Sequence, residues 1–172
     1  MKFFSANLED LRELYNSTLQ KTLDMEQQIT DALPTMMDKA TDPQLKQAFE
    51  NHLTETYTHV SLVADIVTGI YGDPKTATCK VTSALIRSAD DLIADASDSA
   101  VRDAALIAAA QQVEHHEIAI YGTLRNWAEL LGLTTDAETF SQILAQEKHA
   151  DVLLSGISTR VNQEAEPGAR AA

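Results

Sequence analysis

Apolar residues recur along this chain in steps of three and four, the period of one face of an α-helix. The first stripe reads Leu8, Leu11, Tyr15, Thr18, Thr22, Glu26, Ile29, Leu33 and Met36. It predicts a helix starting near Ser5 or Asn7, either of which can cap it, and ending near Ala40. Pro34 sits late in that run and removes one backbone hydrogen bond, so a bend is expected there. Thr41-Asp42-Pro43 reads as a short turn and cap. The second stripe is Leu45, Phe49, His52, Glu55, His59, Leu62, Ile66 and Ile70, and it stops at Gly72-Asp73-Pro74. So short a link makes the first two helices an antiparallel hairpin.

Residues 75–79 are polar and irregular. Val81, Leu85, Ile86, Leu92 and Ile93 then predict a shorter amphipathic helix ending near Asp95. The third long helix is expected from Ser97 or Ser99 to Leu131, with Gly132 as its stop. Its stripe is Leu106, Ala110, Val113, Glu117, Ile120, Leu124, Trp127 and Leu131. The stretch Ala104 to Ala110 is almost wholly apolar, which predicts burial on more than one side. The fourth long helix begins after Thr134 or Thr135 and carries Phe140, Ile143, Glu147, Asp151, Leu154, Ile157 and Val161. The pattern predicts an all-α protein: a ferritin-like four-helix bundle of two antiparallel hairpins, with an extra short helix in the crossover. Residues 1–163 read as one domain and residues 164–172 as a flexible tail.

Each of the four long stripes is interrupted near its middle by a carboxylate: Glu26, Glu55, Glu117 and Glu147. The interval is 29 residues in the first hairpin and 30 in the second. Matching depth would gather four acids in one core. An ionised carboxylate buried without a partner costs several kcal/mol, so such a cluster needs cations. Neighbours on the same helical faces enlarge the set. His59 stands four residues after Glu55, Asp151 four after Glu147, and Glu114 three before Glu117. An oxygen-rich set with one or two imidazoles suits two ions of iron or manganese, between which oxygen or peroxide can bind. A purely structural alternative is a buried polar network neutralised by Arg125, the best-placed cation, or by Lys21, Lys148 or the histidines. Taken singly, His52 and His59 read as core histidines satisfied by carbonyls. His115 is the weaker ligand candidate beside His116, and His149 falls off the core stripe.

Composition narrows the function classes. The 172 residues include 26 acids against 13 Lys and Arg, a formal net charge of -13. That surface repels DNA and anionic lipid, so neither nucleic acid nor a membrane is the expected partner. Cys79 is the sole cysteine, which excludes an intrachain disulfide and any Cys-rich metal site. The start of the chain lacks a signal-peptide pattern, and no apolar run reaches membrane-spanning length; a cytoplasmic protein is expected.

Several segments carry a resemblance. His52-Leu53-Thr54-Glu55-Thr56, the run Val101 to Gln111, Glu114-His115-His116-Glu117-Ile118-Ala119 and Glu147-Lys148 resemble the YciE/YciF group of bacterial ferritin-like stress proteins. The resemblance covers about residues 5–160. It implies a ferritin-like fold, a homodimer and a di-metal centre, and it leaves the reaction open. Glu26, Glu55, Glu114, Glu117 and Glu147 match the group's acids; His59 stands where a Gln or similar polar residue is usual. Ferritins place an imidazole three residues after the acid, where this chain has Thr58 and Ala150.

Overall fold

A computed structural model describes residues 8–166. It contains five helices: α1 Leu11–Lys39, α2 Pro43–Tyr71, α3 Lys80–Asp95, α4 Ser99–Leu130 and α5 Thr134–Ala165. There are no strands among the described residues. The starts of three helices follow from aspartates whose carboxylates accept the first unpaired backbone N–H groups. Asp10 accepts from the Glu13 amide, Asp42 from those of Gln44 and Leu45, and Asp98 from those of Ala100 and Val101. Pro43 occupies the first turn of α2, where its missing N–H costs nothing. Gly72 closes α2 with φ of 82°, a left-handed conformation that glycine adopts without strain.

The expected elements are all present, with shifted ends. Ser5 and Asn7 lie outside the described residues, and Asp10 is the cap of α1. Asp98, between the two expected serines, caps α4. Pro34 lies within α1, which continues through it to Lys39. Helix α5 runs to Ala165, so Glu164 is helical and not part of a tail.

Helices α1 and α2 form one hairpin and α4 and α5 the other; α1 also packs on α4, and α2 on α5. All four neighbouring pairs are antiparallel. At one end, the Tyr15 hydroxyl of α1 donates to Asp136 at the start of α5 (2.7 Å). At the other end, Arg160 of α5 pairs with Asp42 at the start of α2 (2.6 Å). There too, Asp103 in the first turns of α4 accepts from the Thr41 amide, the Thr41 hydroxyl and the Asp42 amide. Because α2 and α4 are diagonal and parallel, residues 72–98 must return the length of the bundle. Helix α3 lies in that crossover and packs on α4 and α1.

The core is apolar above and below its middle. Leu19, Leu23, Val63, Leu124 and Phe140 fill one half, and Leu33, Leu45, Phe49, Leu106 and Leu154 the other. Between them, Glu26, His52, Thr56, His59, Glu114, Glu117 and Glu147 are all buried. Among the described residues, no helix is long and apolar enough to cross a membrane.

Candidate metal centre

Four helices supply the buried polar layer. Glu26 comes from α1, His52 and His59 from α2, Glu114 and Glu117 from α4, and Glu147 from α5. His52 and His59 are seven residues apart, two helical turns, and so share a face about 10 Å apart along the axis. Thr56 lies between them and donates its hydroxyl back to the His52 carbonyl (2.8 Å).

Two groups of ligand-capable atoms result, each within 4.8 Å of one another. One is His52, Glu114, Glu117 and Glu147; the other is Glu26, His59 and Glu147. Glu147 belongs to both. Its Oε1 lies 3.0 Å from His59 Nδ1 and its Oε2 4.0 Å from His52 Nδ1. His52 Nε2 is 3.3 Å from Glu114 Oε1, and His59 Nδ1 is 3.8 Å from Glu26 Oε2.

The hydrogen bonding of these groups is incomplete in one direction only. The Tyr121 hydroxyl donates to Glu26 Oε1, and His59 Nε2 meets Gln146 Oε1 at 3.1 Å. Those contacts orient the carboxylate and the ring from behind. On the inward side, Glu26 Oε2, His59 Nδ1, Glu114 Oε2 and both oxygens of Glu117 and of Glu147 have no hydrogen-bond partner. Neither do the two nitrogens of His52. Buried polar atoms are ordinarily paired, so this convergent set of unpartnered atoms is a group that could hold a cation. The donor set of carboxylates and imidazoles fits hard to borderline divalent ions such as iron or manganese.

Charge leads to the same place. Four buried carboxylates face two imidazoles, a deficit of positive charge even with both rings protonated. Without metal the deficit is met by protons. Burial raises the carboxyl of Glu26 to about 7 against the pull of His59, and that of Glu114 to about 8 against His52. Burial and the Glu147, Glu26 and Glu114 charges hold Glu117 well above the usual carboxylate range. Burial pulls the His52 ring down, but Glu55, Glu114 and Glu147 outweigh it and lift the ring to about 9. His59 is raised in the same way: burial opposes, and Glu147 and Glu26 prevail.

Of the residues expected from sequence, Glu26, His59, Glu114, Glu117 and Glu147 converge on this layer. Glu55 does not join either group; its side chain is 37% exposed and its Oε2 stands 3.9 Å from His52 Nδ1, at the rim. Asp151 also stays outside, pairing with exposed His115 (3.2 Å) and accepting from Gln111 (3.0 Å). His52, read from sequence as a carbonyl-satisfied core histidine, is instead in the cluster. The signal was its seven-residue spacing from His59. At about 100° per residue the buried residues of α2, Leu45 through Val67, centre on the His52–His59–Val63 line, and Glu55 lies well to one side. Arg125 is not the counter-ion: it pairs with Glu129 (3.8 Å), two turns beyond Glu117. Lys21 and Lys148 are exposed. His116 faces Cys79 Sγ (3.7 Å) in the crossover.

Comparison with known proteins agrees with this architecture. The YciF protein of Escherichia coli strain K12 is 36% identical over 162 residues, covering 93% of this chain and 98% of that protein. The crystal structure of the E. coli stress protein YciF matches with a TM-score of 0.83 at 34% identity, over 89% of this chain and 97% of that one. The YcfI structure from Rhodopseudomonas palustris matches with a TM-score of 0.85 at 37% identity, over 89% and 98%. A protein from Xanthomonas campestris pv. campestris, 21% identical with a TM-score of 0.69, shares the fold over 88% of this chain and 93% of its own. Residues 10–166 match the family described as a domain of unknown function, DUF892, and the chain belongs to that family together with YciF.

Proposed function

We propose that this protein is a ferritin-like di-metal carboxylate protein of the bacterial stress response. The observation that carries the reading is the pair of donor groups sharing Glu147, all buried and with their inward atoms unpartnered. Glu26 and His59 would hold one ion and His52, Glu114 and Glu117 the other, with Glu147 serving both. Two iron ions so held would supply one-electron steps at two adjacent centres, which suits oxidation of Fe(II) or removal of peroxide; manganese is the alternative metal. The chain's own part is binding and proton handling. Apolar layers flank the cluster along the bundle, and the burial of its carboxylates strengthens its electrostatics. Glu26, Glu114 and Glu117 hold protons in the metal-free state and release them when a cation arrives. The stress role follows from kinship with YciF, and the paired-hairpin topology supports the ferritin-like description. A cytoplasmic homodimer completes the reading.

Protein purified without chelator and analysed for metal should hold close to two equivalents. Less than about half an equivalent, unchanged by Glu117→Ala, would overturn the assignment. A second reading is a non-enzymatic helical protein that keeps the bundle for assembly. It is favoured by the provisional description of the R. palustris relative as a structural protein. Rapid mixing of the Fe(II)-loaded protein with oxygen or peroxide separates the two: metal binding without a fast oxidation step selects the second.

A further inference from the structure

A cavity of about 550 Å³ opens between α1, α3 and α4 and reaches inward to α2. Its inner end is formed by His52 and Glu114, members of the buried cluster; His52 is 7% exposed and Glu114 3%. Its walls include Leu33, Phe49, Ile86, Ile93, Ala109 and Val113. The space exists because alanines face it from α1, α3 and α4 where larger residues would close the gap. At its outer end stand Lys39 and Arg102, joined by a hydrogen bond from Arg102 Nε to the Lys39 carbonyl (3.2 Å). Asp31 and Asp90 border it from exposed positions on α1 and α3.

The dimensions exceed what oxygen or peroxide needs. A water-sized molecule needs about 30 Å³, whereas cavities that hold organic ligands run from about 300 to 1,000 Å³. From Gln28 to Lys39 the cavity follows α1 over eleven residue steps, roughly 16 Å of helix axis. It is therefore long and apolar-walled, with Lys39 and Arg102 at one end, His52 and Glu114 at the other, and the exposed Asp31 and Asp90 along its border. An anionic head is attracted by Lys39 and Arg102.

We propose that this cavity binds an aliphatic monocarboxylate of medium chain length, its carboxylate at Lys39 and Arg102 and its alkyl end beside His52 and Glu114. The binding itself does not depend on the metal assignment; that the alkyl end would meet a metal centre rests on the function proposed above.

Calorimetric titration of the metal-free full-length protein with decanoate, decanol and acetate tests it. Decanoate should bind saturably, one per chain, and acetate should not bind. Decanol and the Lys39→Gln/Arg102→Gln variant with decanoate should each bind about tenfold more weakly, the loss of one charge-assisted contact. Ala89→Leu, which fills the cavity from α3, should weaken decanoate and decanol alike, with circular dichroism checking the fold. If that variant unfolds, the charge variant decides. Absence of saturable decanoate binding overturns the proposal, as does equal binding of decanol and decanoate with the charge variant unaffected. Metal analysis reads the other question separately: decanoate binding without metal binding leaves the cavity assigned and the di-metal reading lost, and the reverse result does the opposite.

Discussion

The Tyr121 hydroxyl of α4 donates a hydrogen bond to Oε1 of Glu26 on α1, and both residues are fully buried. Burial and the adjacent Glu26 charge hold the phenol well above its ordinary range, which favours Tyr121 as the donor. The contact leaves Oε2 of Glu26 facing His59. Tyr121→Phe keeps the ring beside Phe140, 6.1 Å between centroids, and removes only the donor. Loss of a group that orients a metal ligand costs about 10–100-fold in affinity. Anaerobic titration with Fe(II) or Mn(II) should show one of two binding events weakened by that factor and the other, at His52, Glu114 and Glu117, nearly unchanged. Two events weakened equally would show that Tyr121 does not act through Glu26.

Glu147 and Glu55 give opposite expectations. Glu147 is wholly buried and stands in both donor groups, whereas Glu55 is at the rim and in neither. Glu147→Gln should lower bound metal from two equivalents to one or fewer. Glu55→Gln should change affinity by less than about threefold, the scale of a solvent-screened charge contact. Metal content after gel filtration reads both. A large loss with Glu55→Gln would make it a ligand, drawn inward when the ion is present.

The helical pattern, the hairpins and the crossover helix were legible from sequence because amphipathic periodicity and Asp, Pro and Gly punctuation act locally. Five of seven expected ligand positions converge: Glu26, Glu117 and Glu147 as carboxylates on apolar stripes, and His59 and Glu114 as neighbours on the same helical faces. The failures are angular. On α2 a step sequence of three and four drifts around the helix, and Glu55 and His59 can both be threaded on one stripe although only His59 faces the core. Which of His52 and Glu55 points inward depends on the packing of α2 against α5 and α1, which periodicity leaves undetermined by a fraction of a turn. Asp151 fails differently, because His115 and Gln111 on α4 offer it partners at the surface. The cavity was not legible at all, since it depends on how far α3 stands from α1 and α4.

Asp103 ties the first hairpin to the second, accepting from two backbone amides and one hydroxyl at the α1–α2 turn while buried itself. Asp103→Ala removes a charged acceptor and leaves the Thr41 and Asp42 amides unsatisfied. Hydrogen bonds to a charged group are worth about 1.5–3 kcal/mol each, but the turn can relax to water, so a loss of about 3 kcal/mol is expected in urea unfolding. Metal stoichiometry should be unchanged, since the residue lies at the bundle end. A loss under 1 kcal/mol would show that the turn is held mainly by Asp42 and Arg160.

The protonation of the cluster makes the metal-free protein sensitive to pH in a definite direction. Glu26 rises from its ordinary 4.5 to about 7, Glu114 to about 8, and His52 from 6.5 to about 9. In each case the folded state holds its proton more tightly than the unfolded chain. The stabilisation is complete below the unfolded value and is lost as pH climbs through the folded one. Glu55 and Asp42, whose carboxyls are lowered, act in the opposite sense but only as pH falls through the acid range. Cys79 acts in the opposite sense within the interval, since against burial its contacts with His116 and Thr82 lower the thiol to about 7; the several raised groups of the cluster outweigh that single one between pH 5 and 8.5. Glu26 alone contributes on the order of 3 kcal/mol at 1.36 kcal/mol per unit, and the protons leave as a coupled set. For a chain of this size, that is a fall in Tm of roughly 5–10 °C from pH 5 to pH 8.5. Bound metal takes the place of those protons, so its affinity should rise over the same interval and the metal-loaded protein should lose the slope. Glu117→Gln, neutral at every pH, should flatten the metal-free curve. A metal-free Tm that is level or rises from pH 5 to 8.5 would show that the cluster is neutralised by something other than protons, and would remove the electrostatic case for a cation at this site.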